Sequence, residues 1–184
     1  IDGVHFGGRI AITTKGLGRQ GLVFKDCEES EDVPILQAVR NSGLIEKFHS
    51  VVMSMGAETK KVRMLCEAIG PGVKKLHYGM SRPMARAFDI RVEDRWLTED
   101  EFAAQVEAND VPRAPVLWRG TYDASKIEEL RQGQTTLDDK HIREGVVIKA
   151  AGEQDKRRTA LGDAIRPILK AHSDAFLKKF GKDD

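Results

Sequence analysis

Arg143-Glu144-Gly145-Val146-Val147-Ile148-Lys149 is the stretch on which the reading of this chain turns. Three consecutive apolar, β-branched residues between a glutamate and a lysine predict a short buried strand with a charge at each end. On an extended backbone Glu144 and Lys149 lie five residues apart, about 16–17 Å at the usual rise. They cannot both touch one atom, but they can flank an elongated ligand lying along the strand. Taken alone, the segment is equally a buried strand with charged ends, so its meaning depends on the rest of the chain.

The chain has 184 residues, enough for one domain with a real core. No apolar run is long enough to span a bilayer. No charged, then apolar, then small-residue leader is recognisable, so a cytoplasmic protein without a membrane partner is expected. Cys27 and Cys66 have no CxxC spacing and are expected to be reduced thiols rather than a disulfide or zinc site. Charged residues make up 32% of the chain, yet the net charge is only +1. A nucleic-acid surface must therefore come from local clusters, namely Lys156-Arg157-Arg158, Lys74-Lys75, and Lys178-Lys179 with Lys182. Each cluster by itself is also explained as a solvated face or tail.

Alternating or β-branched segments predict strands over 4–13, 21–25, 62–69, 85–92, 115–119, 144–150 and 166–171. Asp32 is placed to cap a helix with Pro34 in its first turn, running through Leu36, Val39, Leu44, Ile45 and Phe48. Thr98-Glu99-Asp100-Glu101 is a capping box for a second helix, ended by Val111-Pro112. Ser125-Lys126-Ile127-Glu128 repeats that device, with Gly133 as the stop, and a last helix runs from Asp174 to Phe180 before Gly181. Strands outnumber helices and do not alternate regularly with them. The expected class is α+β with mainly antiparallel sheets.

Five further segments matter for function. They are Ile1-Asp2-Gly3-Val4-His5-Phe6, Gly18-Arg19-Gln20-Gly21, Leu65-Cys66-Glu67-Ala68-Ile69-Gly70-Pro71-Gly72-Val73, Ala87-Phe88-Asp89-Ile90-Arg91-Val92, and Arg166-Pro167-Ile168-Leu169-Lys170-Ala171-His172-Ser173. Each has a plain structural account: an Asp-Gly turn, a hairpin with an exposed arginine, a strand ending in a turn, a core phenylalanine, a terminal strand. In this order, with Glu144 to Lys149 between the last two, they resemble the motifs of the covalent nucleotidyltransferases. That superfamily comprises ATP-dependent RNA and DNA ligases and capping enzymes. The Phe-Asp-Ile at 88–90 and the Pro112-x-x-Pro115 to Gly120 stretch resemble the RNA ligases of phage type.

The resemblance covers nearly the whole chain and implies a nucleotidyltransferase domain over 1–184, two antiparallel sheets with flanking helices and ATP between them. It implies ATP as cofactor, with AMP bound covalently to a lysine preceding Ile1, the lysine of a Lys-x-Asp-Gly motif, so that the segment carrying the nucleophile is expected to be missing. Asp2, Gly3 and His5 follow that lysine; His5 stands where many ligases have arginine or asparagine. Arg19 is implied to face phosphates or a 3′ end, Glu67 to accept hydrogen bonds from the ribose hydroxyls, and Phe88 to stack on adenine. Glu144 is implied to hold Mg²⁺ or Mn²⁺, and Lys149 to contact the α-phosphate. Lys170 is implied to neutralise phosphate charge, with His172 in place of the family's second lysine. The implied partners are RNA ends, nicked or single-stranded, for a monomer working in RNA repair, in the host cytoplasm if phage-encoded. The implied reaction joins an RNA 5′-phosphate to a 3′-hydroxyl. Rivals are a DNA ligase or capping-type enzyme, for which no oligonucleotide-binding barrel is recognisable, and an inactive nucleotide- or RNA-binding module.

Overall fold

The computed structural model describes residues 2–6, 9–13, 23–24, 34–73, 76–152 and 168–181, the first three of these segments by backbone pairing alone. Strands β1 (Asp2–Phe6), β2 (Arg9–Thr13), β3 (Val23–Phe24), β4 (Val62–Ile69), β5 (Met84–Val92) and β6 (Arg95–Trp96) form one sheet in the order β3-β2-β1-β4-β5-β6. Every adjacent pair in it is antiparallel. The span 4–13, expected as one strand, is the pair β1 and β2, with Phe6 opposite Arg9.

The period of two along β4 sets the layers. Val62, Met64, Cys66 and Ala68 are buried, while Glu67 between them is exposed. Against the buried side pack helices α1 (Pro34–Asn41) and α2 (Leu44–Ser54) through Val39, Phe48, Val51 and Val52. One core cluster joins these residues to Ala85, Ala87 and Ile90 of β5. Cys66 is buried in this core, and Cys27 lies outside the described residues.

The single helix expected from Pro34 through Phe48 is two helices. Gly43 between them has φ 59°, a left-handed conformation that costs glycine little and other residues more. Just before it, the Ser42 hydroxyl accepts a hydrogen bond from the Ala85 amide at 2.8 Å, tying the break to β5.

Helix α3 (Glu99–Ala108) carries the expected capping box, with Thr98 and Glu101 bonding each other's backbone amides at 3.2 and 2.8 Å. It buries Phe102 and Val106, and full burial of such side chains contributes about 1.5–3 kcal/mol each. Helix α4 (Ala124–Arg131) starts earlier than the Ser125 box suggested: Asp123 is the cap, accepting from the Ser125 and Lys126 amides at 2.9 and 3.3 Å. A carboxylate at that position outcompetes the Ser125 hydroxyl, which itself bonds Asp123 at 2.6 Å.

No strand forms over 115–119, where one was expected. Pro115 removes a ladder donor at its start, and Pro112 another just before it. The connection meets β5 at an Ala87–Arg113 bridge and leaves Val116 and Trp118 exposed. Strands β7 (Gly145–Lys149) and β8 (Ile168–His172) pair antiparallel as a second, two-stranded sheet, and helix α5 (Asp174–Phe180) follows, capped by Ser173.

Candidate active site

The site begins with an irregularity in β5. Leu65 pairs with Asp89 and Cys66 with Ala87, so Phe88 is an extra residue, a bulge in the ladder. A bulged residue's backbone polar groups leave the regular pairing and need other partners. Here the Phe88 carbonyl accepts a hydrogen bond from the Lys149 ammonium at 2.7 Å. The lysine at the end of β7 thus fastens the small sheet to the large one at the aromatic residue singled out in the sequence.

Lys149 has a second partner on α3. Its Nζ lies 3.0 Å from Glu99 Oε2, and the other oxygen of that carboxylate is bonded by Arg113. Both cations sit over the Phe102 ring, Lys149 Nζ at 4.9 Å and Arg113 Cζ at 5.2 Å from its centroid. The group is largely withdrawn from water, with Glu99 at 9% exposure. Burial pushes the Glu99 carboxyl up, but the contacts with Lys149 and then Arg113 outweigh it and hold the group below the usual glutamate value. Backbone bonds reinforce the arrangement: the Glu99 amide donates to the Ala151 carbonyl at 2.8 Å, and Ala87 exchanges bonds with Pro112 and Ala114 at 2.7 and 2.8 Å.

At the other end of β7, Lys170 of β8 pairs with Glu144 at 2.6 Å. His172 Nε2 is 3.8 Å from the same oxygen, and its ring packs on Phe176 with centroids 5.3 Å apart. The backbone that carries Glu144 into β7 depends on Gly145, at φ 153°. A Cβ there would overlap the Ala171 carbonyl and come within 2.7 Å of the His172 Cα. Beyond β8, Arg131 of α4 donates to the His172 carbonyl at 2.7 Å and pairs with Glu128 and Asp174, each at 2.5 Å. That linkage holds the α5 end of the strand.

Glu67 is exposed on β4, in register with Arg86 and one position from the Cys66–Ala87 pair that borders the bulge. Asp2 pairs with Leu65, two residues short of Glu67, while Gly3 and His5 pair with Met64 and Val62. The structure therefore joins Phe88 to Lys149 and Glu144 to Lys170 by direct contact, and puts Glu67 and Asp2 near the bulge by register. Arg19, Lys74-Lys75, Lys156-Arg157-Arg158 and Lys182 lie outside the described residues. Glu99, Arg113, the Phe88 bulge and Gly145 were not singled out in the sequence as site residues. Only the Glu-Gly dipeptide could have pointed to any of them, since an acid in the first turn of a helix, as at Glu99, is ordinary.

A cleft of about 460 Å³ lies instead beside the Val92 end of β5, lined by Met55, Lys60, Glu93, Arg95 and Glu101 among others, and contains none of these site residues. Among the described residues no group of three or more His, Cys, Asp or Glu side chains is arranged to hold a metal unaided. None of the described helices is long and apolar enough to cross a membrane.

Comparison with solved structures gives the same architecture. A Naegleria gruberi RNA ligase with pyrophosphate superposes with a TM-score of 0.62 at 21% identity, over 97% of this chain and 51% of that one. A mutant of that enzyme with ATP and manganese gives 0.63 at 21% identity, with the same coverage. The chain thus spans about half the length of these proteins, and the likeness establishes the nucleotidyltransferase fold of RNA ligases. No curated protein sequence matches. The RNA ligase family model matches from Phe6 to His172, and the chain belongs to that family.

Proposed function

We propose that this chain is the adenylation domain of an ATP-dependent RNA ligase. A lysine ahead of Ile1 attacks the α-phosphorus of ATP and expels pyrophosphate. The AMP then passes to an RNA 5′-phosphate, and a 3′-hydroxyl displaces it to seal the strand. The observation that carries this reading is the Lys149–Phe88 contact, because it fixes a cation from one sheet on the backbone of the aromatic residue of the other. A nucleotide needs that combination, with a stacking surface for the base and positive charge for the phosphates.

In this reading Phe88 stacks on adenine and Glu67 accepts the ribose hydroxyls. Asp2 and Gly3 belong to the lysine's own motif, and Gly3 lets the backbone pass close to the nucleotide. Lys149 and Lys170 offset the negative charge that builds at the α-phosphate as the bond to pyrophosphate breaks. Attack requires the nucleophilic amine to be neutral, and neighbouring cations favour that form. The pairing of Asp2 with Leu65 supports a nucleophile close to Glu67. Arg19 and His5 complete the proposed phosphate and sugar contacts. His172, 3.8 Å from Glu144, adds positive charge only when protonated.

Glu144 is the carboxylate for Mg²⁺ or Mn²⁺. A hard cation bound together with ATP uses one or two carboxylates and completes its shell with phosphate oxygens and water, so a lone glutamate suits it. The metal supplies charge neutralisation at phosphorus. Lys170 holds Glu144 in place until then.

The test is intact mass after incubation with ATP and Mg²⁺, using protein that carries the residues ahead of Ile1. Addition of one AMP is the expected result. No gain in mass counts against ligase chemistry, and ATP binding without that gain favours a nucleotide-binding module. Offering nicked RNA, single-stranded RNA and nicked DNA to the adenylated protein then identifies the strands it joins.

A further inference from the structure

We infer that Glu99 is a positioning residue for adenylation, acting as the counter-ion that holds Lys149 beside Phe88 and yields it to the nucleotide. The inference rests on the reading above, in which Lys149 meets the α-phosphate, and adds to it a residue outside the motifs that carry that reading.

Three observations support it. First, the Lys149 ammonium is held from two sides, by the Phe88 carbonyl at 2.7 Å and by Glu99 Oε2 at 3.0 Å, so its position on β5 depends on a residue of α3. Second, the carboxylate is shared. Its Oε1 is taken by Arg113, which also sits over Phe102 and whose carbonyl accepts from Arg86 at 3.0 Å. When Lys149 turns toward a phosphate, Glu99 keeps Arg113 as partner and is not left as an unpaired buried charge, which would be strongly unfavourable. Third, the exchange is between like groups. A carboxylate and a phosphate oxygen offer the same ammonium a charged acceptor, so the nucleotide must compete with Glu99 for Lys149.

The consequence is a trade between affinity and rate. Glu99 weakens ground-state binding of ATP by competing for the lysine. It raises the rate by keeping the ammonium in one place, since misplacement by about 1 Å can cost on the order of 10²-fold. Glu99→Gln separates the two effects. The amide oxygen can still accept from Arg113, but the charge facing Lys149 is gone.

The experiment uses full-length protein with its native N-terminal residues. ATP affinity is measured by calorimetry without metal, and the single-turnover rate of AMP attachment by intact mass with Mg²⁺. Expected for Glu99→Gln is ATP binding tighter by about 3- to 10-fold together with an adenylation rate slower by about 10-fold. A fold defect weakens both quantities, so opposite changes are a signature that a merely structural role does not give. Thermal melts confirm that each variant is folded at the assay temperature. A Glu99→Gln protein that binds ATP no more tightly than the parent, whatever its rate, overturns the inference. If the parent protein itself takes up no AMP, the ligase reading has failed, and the calorimetric comparison still reports on Glu99.

Discussion

Lys170 Nζ lies 2.6 Å from Glu144 Oε1, so a residue of β8 holds the side chain that immediately precedes β7. The lysine side chain is about half exposed, at 49%. Exposed pairs of this kind contribute only about 0–1 kcal/mol to stability. Glu144→Gln is therefore expected to unfold within about 1 kcal/mol of the parent, while AMP attachment falls by about 10²-fold or more through loss of a charged group at the reacting phosphate. Denaturant melts and intact-mass time courses on the same preparations check both halves. A large stability loss with normal adenylation would make the pair structural.

Gly145 gives a prediction of the opposite kind. A methyl group at this position meets backbone of the neighbouring strand, which cannot swing aside as a side chain can. Gly145→Ala is expected to cost about 1–3 kcal/mol, the scale of a residue forced into a sparsely populated conformation. It should also lower the melting temperature by several degrees, visible by circular dichroism. An unchanged melting temperature would mean that β7 and β8 can separate at this end without cost.

Glu99 makes stability depend on pH with a definite sign. Its folded pKa is depressed below the usual glutamate value because Lys149 and Arg113 together outweigh burial. A group depressed in this way stabilises the fold at pH values above its unfolded pKa, and that contribution is lost as pH falls through the folded value. The difference in unfolding free energy between the parent and Glu99→Gln should be constant above about pH 5.5 and should shrink as pH falls below 4.5. Urea titrations across that range measure it, and a pH-independent difference excludes the ion pair as its source.

Asp123, not Ser125, caps α4. Asp123→Ala should cost about 1 kcal/mol, the typical value for a lost cap, whereas Ser125→Ala should cost less. Equal losses in equilibrium unfolding would return the cap to the serine.

Phe88→Leu keeps an apolar side chain at the bulge and removes the ring. If the ring stacks on adenine, ATP binding weakens by about 1–3 kcal/mol, or roughly 5- to 150-fold. The loss should be smaller for a triphosphate without a base. Equal losses for the two would assign Phe88 to packing.

Much of the fold was legible because its signals are local. The period of two over 62–69 marked a half-buried strand, and the Thr98–Glu101 box marked the start of α3. The departures have local physics too, in competition with a stronger pattern. The apolar period of 36–48 runs straight through Gly43, and only its left-handed φ divides the helix. At 115–119 the β-branched and aromatic composition suggested a strand, yet Pro115, and Pro112 just before it, remove donors that pairing requires. In the candidate site, Glu144 and Lys149 were legible as charges at strand ends and Lys170 through the resemblance of its strand, and the structure gives each a partner. Glu99 and Arg113 were not, because the pairing of Glu99 with Arg113 and with the distant Lys149 leaves no periodic trace. The Phe88 bulge was hidden for a related reason: an extra residue in one strand appears only when its partner strand is laid beside it.

That misfit in β5 has an implication for any attempt to redesign this domain. A version regularised by deleting one residue near position 88 would gain a cleaner ladder against β4. It would also remove the carbonyl that Lys149 now bonds, with the pairing on either side unchanged. Lys149 would then have nothing to grip on that side, and the two-stranded arm would hang on α3 alone, through Glu99. Smoothing this backbone should yield a tidier fold that has forgotten how to hold its own halves together.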